Sequence, residues 1–543
     1  MNIIIYHPPK NLKIMKKILL VTISAAFFMP LMAQDAYDAA NIATRDLNGT
    51  ARYVGMGGAL DALGADISTI GTNPAGLGLF RHSDVRFTLG LVSQQDAKKF
   101  GGANPTNVSF DQIGFVWSNR IGAASYLNFA FNYHKSRNFN HIIAASNAFA
   151  QSQSFTDKDG FIGSGQNVQT GIKAFNGYFS SDNEDQDGVN YYESQVDNAY
   201  YGLLFSDDNK YYPLTATDFT LSKGNKGYIG DFDFSLSGNS NNRVFWGFTF
   251  GIHGVHYESV TAYDEHLEAG QTLPNGVSPT MAGMTDERTI KGSGFDLKGG
   301  VIVRPIEDSS FRFGVSLASP TWYTLTTSNY MTAYVDEKRN NSESYKFRYT
   351  TPWNIGVSLG HTIEEYLALG LCYDYTFFTS ADMRYIIASG YSGNESRSDA
   401  AMNDEIGQCF RGTHTLKVGA ELRPDPAFAV RIGYNFVSSP FRSNDDAYRN
   451  QKVYSPGVYY ASSTDYVNWK PTHRITAGLG TKINKFSIDF AYQYQVTKGD
   501  LFPFADGEYF EDTKNNVYIE NVTPATSITF ARHQAQLTLG YTF

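Results

Sequence analysis

Residues 486 to 496 read F-S-I-D-F-A-Y-Q-Y-Q-V, with Phe486, Ile488, Phe490, Tyr492, Tyr494 and Val496 on one parity and Ser487, Asp489, Ala491, Gln493 and Gln495 on the other. Side chains alternate across a strand, so this stretch has one apolar and one polar face. The alternation recurs at Leu127, Phe129, Phe131 and Tyr133, at Val244, Trp246, Phe248, Phe250 and Ile252, and at Phe311, Phe313, Val315 and Leu317. It fits a soluble sandwich as well as a membrane barrel; the connections separate the two. Strand-like segments run from 84 to 93, 110 to 120, 123 to 136, 227 to 238, 243 to 260, 288 to 304 and 310 to 325. Others run from 345 to 361, 365 to 386, 409 to 423, 427 to 438, 470 to 482, 485 to 498 and 530 to 543. That makes about fourteen strands, an even number, as bacterial single-chain barrels have. Tight turns at Asn239 to Asn242, Ile306 to Ser309, Thr362 to Glu364, Pro424 to Pro426 and Asn484 alternate with long polar loops. Outer-membrane barrels have short periplasmic turns and long outer loops. The expected fold is an all-β membrane protein, an antiparallel transmembrane β-barrel, because open sheet edges leave backbone groups unpaired in lipid.

Composition agrees. The 543 residues are 15% aromatic and 18% charged, with 50 Gly, a mixture that favours β structure. Beyond the N-terminal leader there is no run of about 18 apolar residues, so helical spanning is excluded. The formal charge of −9 includes a leader with Lys10, Lys13, Lys16 and Lys17 and no acids, so the remainder is more acidic still; a general nucleic-acid role loses support. Cys372 and Cys409 can build no disulfide framework and lack zinc-site spacing. Cys372 falls on the lumenal parity and Cys409 at the start of the next strand, at a different height, which predicts two free thiols. Neither a metal nor a cofactor is implied.

Lys16 and Lys17 precede the apolar run Ile18 to Met32, which ends in Leu31-Met32-Ala33. This is the order of a secretory signal, so residues 1 to 33 are expected to be removed after Ala33; Met15 would itself open a leader of ordinary length. Residues 34 to 83 then form a separate segment, and 84 to 543 the barrel.

The segment before the first strand has no alternation. It is rich in Ala and Gly and shows helical spacing at Ala36 to Thr44 and Gly57 to Leu63. Within it stand A-R-Y-V-G-M-G-G-A-L-D-A-L-G-A-D, residues 51 to 66, and T-N-P-A-G-L-G-L-F, residues 72 to 80. Asn73 before Pro74 is biased away from the helical region and Pro74 fixes its own φ, so the chain turns there. Gly55, Gly58, Ala59, Ala62 and Ala65 leading into Asn73-Pro74-Ala75-Gly76-Leu77 resemble the hatch of the outer-membrane long-chain fatty-acid and aromatic-hydrocarbon transporters. The resemblance implies a fourteen-stranded barrel plugged by a small helical hatch. It further implies loops that collect a hydrophobic small molecule, a lumenal pocket, hatch movement that opens a path, and exit beside a kinked third strand. Asn73 to Ala75 would lie near the inner end of that path; the plainer reading is a structural turn joining plug to barrel. The third strand, Ala123 to Ser136, contains no Gly or Pro, so the sequence offers no visible kink. The last ten residues, Q-A-Q-L-T-L-G-Y-T-F, place Ala535, Leu537, Leu539, Tyr541 and Phe543 on one face. They resemble the C-terminal insertion signal that the barrel-assembly machinery reads, with Tyr541 and Phe543 as its aromatics.

Taking the apolar parity as lipid-facing puts Asp296, Lys298, Arg312, Lys417, Glu421, Arg431, Arg474, Asp489 and Arg532 inside. Such groups need partners when shielded from water, so a network that fixes the hatch is the plain reading. Arg312, Arg431 and Arg474 are the candidates for an anionic substrate, since a guanidinium can hold a carboxylate bidentately. The connection from Arg137 to Lys226 carries many aromatics, among them Phe139, Phe149, Tyr191, Tyr192, Tyr211 and Tyr212, enough for an apolar outer site.

The expected function is passive uptake of hydrophobic small molecules, long-chain fatty acids or similar amphiphiles, across a bacterial outer membrane, with hatch-gated release. Partners would be the ligand, outer-membrane lipid and lipopolysaccharide, and the assembly machinery, without nucleic acid and without TonB coupling. The alternative is a haem receptor, with His134, His141, His253, His256 and His266 near the outer loops; on a strand His253 and His256 point to opposite faces. An enzyme is disfavoured because neither G-x-S-x-G nor H-E-x-x-H occurs.

Overall fold

The computed structural model describes residues 36–149, 154–156, 162–165, 216–273, 276–335, 338–387, 395–442, 465–503, 507–512, 517–521 and 525–543. The leader, and most of the aromatic loop between 150 and 215, lie outside the described residues.

Fourteen antiparallel strands close into one barrel. They are β1 Asp84–Gln94, β2 Thr106–Arg120, β3 Tyr126–Asn138 continued by His141–Ala148, β4 Ala216–Ser240, β5 Val244–Leu267, β6 Met281–Val303 and β7 Arg312–Ala318 continued by Trp322–Tyr334. The others are β8 Lys338–Thr350 continued by Asn354–Ile363, β9 Leu367–Thr376 continued by Asp382–Ile387, β10 Thr413–Asp425, β11 Phe428–Val437, β12 Tyr466–Ile483, β13 Phe486–Phe502 and β14 Thr526–Thr542. β14 pairs with β1 from Thr542 opposite Asp84 to Arg532 opposite Gln94, so over these residues the barrel closes on itself. Phe543 ends at the tight-turn rim, its N–H donating to the Ser83 carbonyl at 2.9 Å and its ring edge-on to Tyr541 at 5.0 Å.

Each of the fourteen stretches read from the alternation overlaps one of these strands. The strands run farther outward than the alternation does: β4 has 25 residues and β5 has 24, where a spanning strand needs about 9–11. The outward parity carries Phe248, Ile432, Phe486 and Trp117, at 65%, 64%, 62% and 60% exposed. A continuous apolar surface of this kind is a lipid-facing one. Among the described residues no helix is long and apolar enough to cross a membrane.

The hatch segment fills the lumen through helices α1 Ala36–Ala43 and α2 Ala51–Gly55 and two 3-10 turns, Ile67–Gly71 and Pro74–Leu79. The helix expected over Gly57 to Leu63 is not formed; that stretch is a run of turns. Gly57 and Gly58 adopt φ of 63° and 80°, conformations that end α2 and that only glycine takes without strain. The third strand also differs from expectation. Its register against β4 shifts between Lys135 and Arg137, a bulge that needs neither Gly nor Pro because hatch groups occupy the freed carbonyls: Asp46 N–H donates to Ser136 O at 2.8 Å and Asn48 Nδ2 to Lys135 O at 2.9 Å. Cys409 is the last residue of a helix, α3 Ala400–Cys409, not the beginning of a strand; Phe410 makes an isolated bridge to Phe441 and β10 begins only at Thr413. Both cysteines are buried, and they are not bridged to each other.

Candidate functional site

The lower hatch is built from short capped turns. Thr50 caps α2 by accepting from Tyr53 N–H and donates its hydroxyl to Asp66; Asp66 in turn accepts from Ser68 N–H at 3.0 Å, capping the next turn. Asn73 caps the last turn through Ala75 N–H at 3.2 Å, with Pro74 at its first position. Asn73, Ala75 and Leu77 are fully buried and lie near the tight-turn end of the wall. A Cβ at Gly300 would overlap the Asn73 carboxamide, and one at Gly247 the Pro74 carbonyl. The same holds for Gly370 against Ala59, Gly419 against Met56 and Gly433 against Gly57. These inward glycines form a ring of wall recesses that seat the hatch backbone. The sequence reading missed them; glycine recurring on the inward parity of successive strands is the signal that marks them.

Charges pin the hatch in two layers. In the lower one, Arg431 Nε and Nη1 reach Glu421 and Asp489 at 2.6 Å each, and Arg52 of α2 reaches the same Glu421 at 3.0 Å. Arg312 Nη1 donates to the Leu63 carbonyl at 2.7 Å. Arg312 therefore holds the plug directly and Arg431 through the Glu421 it shares with Arg52, and neither lines the cavity above. Lys417 joins Asp61 at 3.2 Å and Asp374 at 2.7 Å. Higher up, Asp231, Asp233 and Asp296 surround His253 and Lys298, with Arg45 of the hatch bridging Asp231 at 3.7 Å and Asp296 at 3.3 Å.

A cavity of about 430 Å³ opens beside and above these layers, lined on the hatch side by Asn41, Thr44, Arg45 and Asp46 and reaching down to Lys417 and Asp374. Its wall carries Arg137, Arg474 and Arg532, and its upper part Phe139, Tyr466, Trp469 and Phe530. The three guanidiniums converge on one carboxylate: Asp46 lies 3.2 Å from Arg137, 3.4 Å from Arg532 and 3.8 Å from Arg474. Its other oxygen accepts from Asn138 N–H at 2.9 Å. Three positive charges against one negative leave this end of the cavity cationic. Of the three arginines singled out in the sequence, Arg474 alone faces the cavity; Arg137 and Asp46 were not anticipated, because the bulge and the aperiodic hatch that bring them there leave no periodic trace.

The five histidines do not converge. His134 and His253 belong to the buried aspartate cluster, His256 is exposed on the outer wall, and His266 pairs with Asp218 at the outer rim at 2.6 Å. His141 packs between Trp469 and Phe530, ring centroids 5.3 and 4.2 Å away. Burial, with the nearby charges of Arg137, Arg532 and Lys223, holds its imidazole neutral, down to about 3.

No family model and no curated protein matches the chain. Among solved structures, a FadL homologue of Pseudomonas aeruginosa aligns with 92% of this chain and 99% of its own at 12% identity, with a TM-score of 0.48. The toluene transporter TbuX of Ralstonia pickettii gives 15% identity and the toluene transporter TodX of P. putida 10%, each covering 92% of this chain and 99% of its own with a TM-score of 0.46. Likeness of this size leaves the function to be argued from the residues of this chain.

Proposed function

We propose that the chain is a bacterial outer-membrane channel for passive uptake of hydrophobic small molecules bearing an anionic head, long-chain fatty acids and similar amphiphiles foremost, with release gated by the hatch. The observation that carries this reading is the carboxylate of Asp46 seated among Arg137, Arg474 and Arg532 at the floor of a cavity whose upper wall is aromatic. An amphiphile would shed water against Phe139, Trp469 and Phe530, and its head would compete with Asp46 for the guanidiniums. Asp46 also ties the hatch to the bulge in β3, through its backbone N–H to Ser136 O and its carboxylate to Asn138 N–H. Loss of its charge partners would release one anchor of the segment from Asn41 to Asn48, leaving it to the Arg45 and Asn48 contacts, while the glycine-seated turns around Asn73 to Leu77 hold the rest of the plug. Tyr541 and Phe543 would serve as the insertion signal during assembly. The reading requires no chemical step and no cofactor.

The test is solvent extraction and mass spectrometry of the barrel purified from its own outer membrane, beside a variant with Asn73→Ala and Pro74→Ala. Stoichiometric fatty acid in the parent, altered in the variant, supports the channel and a gating role for the hatch motif. Haem in the extract moves the reading to a haem receptor; no ligand with unimpaired ion conductance moves it to a general porin.

A further inference from the structure

On the outer wall, away from the lumen, one arrangement is built three times. His414 of β10 lies directly opposite Tyr375 of β9, His473 of β12 opposite Phe436 of β11, and His533 of β14 opposite Tyr494 of β13. The paired rings sit 5.1, 5.4 and 5.1 Å apart. In each case a second tyrosine, two residues closer to the tight turns, engages the imidazole Nδ1 through its hydroxyl: Tyr373 at 2.7 Å, Tyr434 at 2.8 Å and Tyr492 at 2.7 Å. Nδ1 is thus taken, and Nε2 is the ring nitrogen left to meet a group outside the protein. Among the described residues none of the three histidines pairs with a carboxylate.

Their height on the barrel gives the repeat a meaning. From β10 to β12 to β14 each histidine lies two residues lower along the perpendicular register than the one before. That is the offset a tilted barrel requires to keep residues level. The three stand eleven, ten and nine residues above the inner ends of their strands at Asp425, Ile483 and Thr542. With a rise of about 3.3 Å and a tilt of about 40°, this is about 25 Å, the height of the apolar band. Below them the outward side chains are Leu416 and Val418, Ile475 and Leu479, and Leu537 and Leu539, all exposed. The histidines therefore stand where hydrocarbon gives way to headgroups.

We propose that this girdle binds the phosphate groups of outer-leaflet lipid A, each Nε2 contributing a hydrogen bond at a fixed height. The proposal rests on the outer-membrane reading above. A fixed nitrogen donor without a carboxylate neighbour suits a phosphate oxygen, and the flanking aromatics hold the ring where the phosphates lie. Purely apolar anchoring would need no histidine.

The full chain is reconstituted into nanodiscs of phosphatidylcholine with a minor fraction of diphosphoryl or dephosphorylated lipid A, and retained lipid A is counted by native mass spectrometry. The parent should retain the phosphorylated form at least about fivefold better, as loss of three modest hydrogen bonds would allow. The triple variant His414→Phe, His473→Phe, His533→Phe keeps the aromatic surface and should lose the preference while keeping heat-modifiable mobility. Should the triple variant not fold, each single His→Phe variant should show a partial loss. A parent that inserts without preferring the phosphorylated form, or variants that retain it as well as the parent, overturns the girdle alone. A chain that neither enters nanodiscs nor fractionates with the outer membrane overturns the girdle and the channel reading together.

Discussion

Replacing Asp46 with Asn removes one negative charge from the floor of the cavity and little else: the carboxamide oxygen can still accept from Asn138 N–H. Three guanidiniums at 3.2, 3.4 and 3.8 Å lose their shared counter-charge. At an effective dielectric of about 20, each contact is about 4–5 kcal/mol of attraction before desolvation is subtracted. Measured penalties for breaking buried pairs bring the net to about 3–5 kcal/mol. In the native chain an incoming carboxylate must displace Asp46 and so forgoes most of that sum; in the variant it does not. We therefore expect laurate to bind Asp46→Asn at least about tenfold more tightly, the equivalent of about 1.4 kcal/mol recovered. Dodecanol, with the same tail and no charge, should bind both proteins equally. Isothermal titration in detergent with both ligands separates head from tail. Laurate affinity that stays put or weakens in the variant, or an equal gain for dodecanol, would falsify the competition of ligand and Asp46 for the same arginines.

Further tests divide the arginines by role. Arg474→Ala should weaken laurate binding about tenfold by removing a charge-assisted contact. Arg312→Ala should leave binding unchanged but increase protease cleavage within residues 36 to 80, since it holds the Leu63 carbonyl. Gly300→Ala drives a Cβ into the Asn73 carboxamide; overpacking of this kind costs about 1–3 kcal/mol, so single-channel conductance should show an unseated hatch. Gly254→Ala, whose nearest neighbour atom would be 3.9 Å away, is the silent control. At the outer rim, burial and the nearby Asp382 carboxylate push the Asp399 carboxyl, which caps α3 through Met402 N–H, up to about 7. The folded chain holds this proton more tightly than the unfolded one, whose value is about 3.9, so the stabilisation is complete below about pH 4 and is lost as pH rises to about 7. Hydrogen exchange across Ala400–Cys409, corrected for intrinsic rates, should be faster at pH 8 than at pH 5.5, and Asp399→Asn should abolish the difference.

The wall is legible in the chain without its fold. A strand's side chains alternate strictly, so lipid on one side and a filled lumen on the other write themselves into Phe486 to Val496 and its counterparts, and all fourteen strands can be read directly. Where β4 and β5 rise beyond the membrane, as at Ala216 to Lys226, both faces meet protein or water, the contrast fades, and the strand ends cannot be read. Parity also places Arg312, Arg431 and Arg474 inside, but it says nothing of what stands opposite them. That is decided by the hatch, whose Leu63 carbonyl engages Arg312 and whose Arg52 shares Glu421 with Arg431, leaving Arg474 to the cavity. The hatch has no period because its fold is set by capping bonds and by recesses at Gly247, Gly300, Gly370, Gly419 and Gly433, each contributed by a different strand. The bulge at Ser136 likewise follows from Asp46 and Asn48 meeting the β3 carbonyls. Contacts between residues hundreds of positions apart leave no local pattern, so the site existed only once the barrel had closed around its plug.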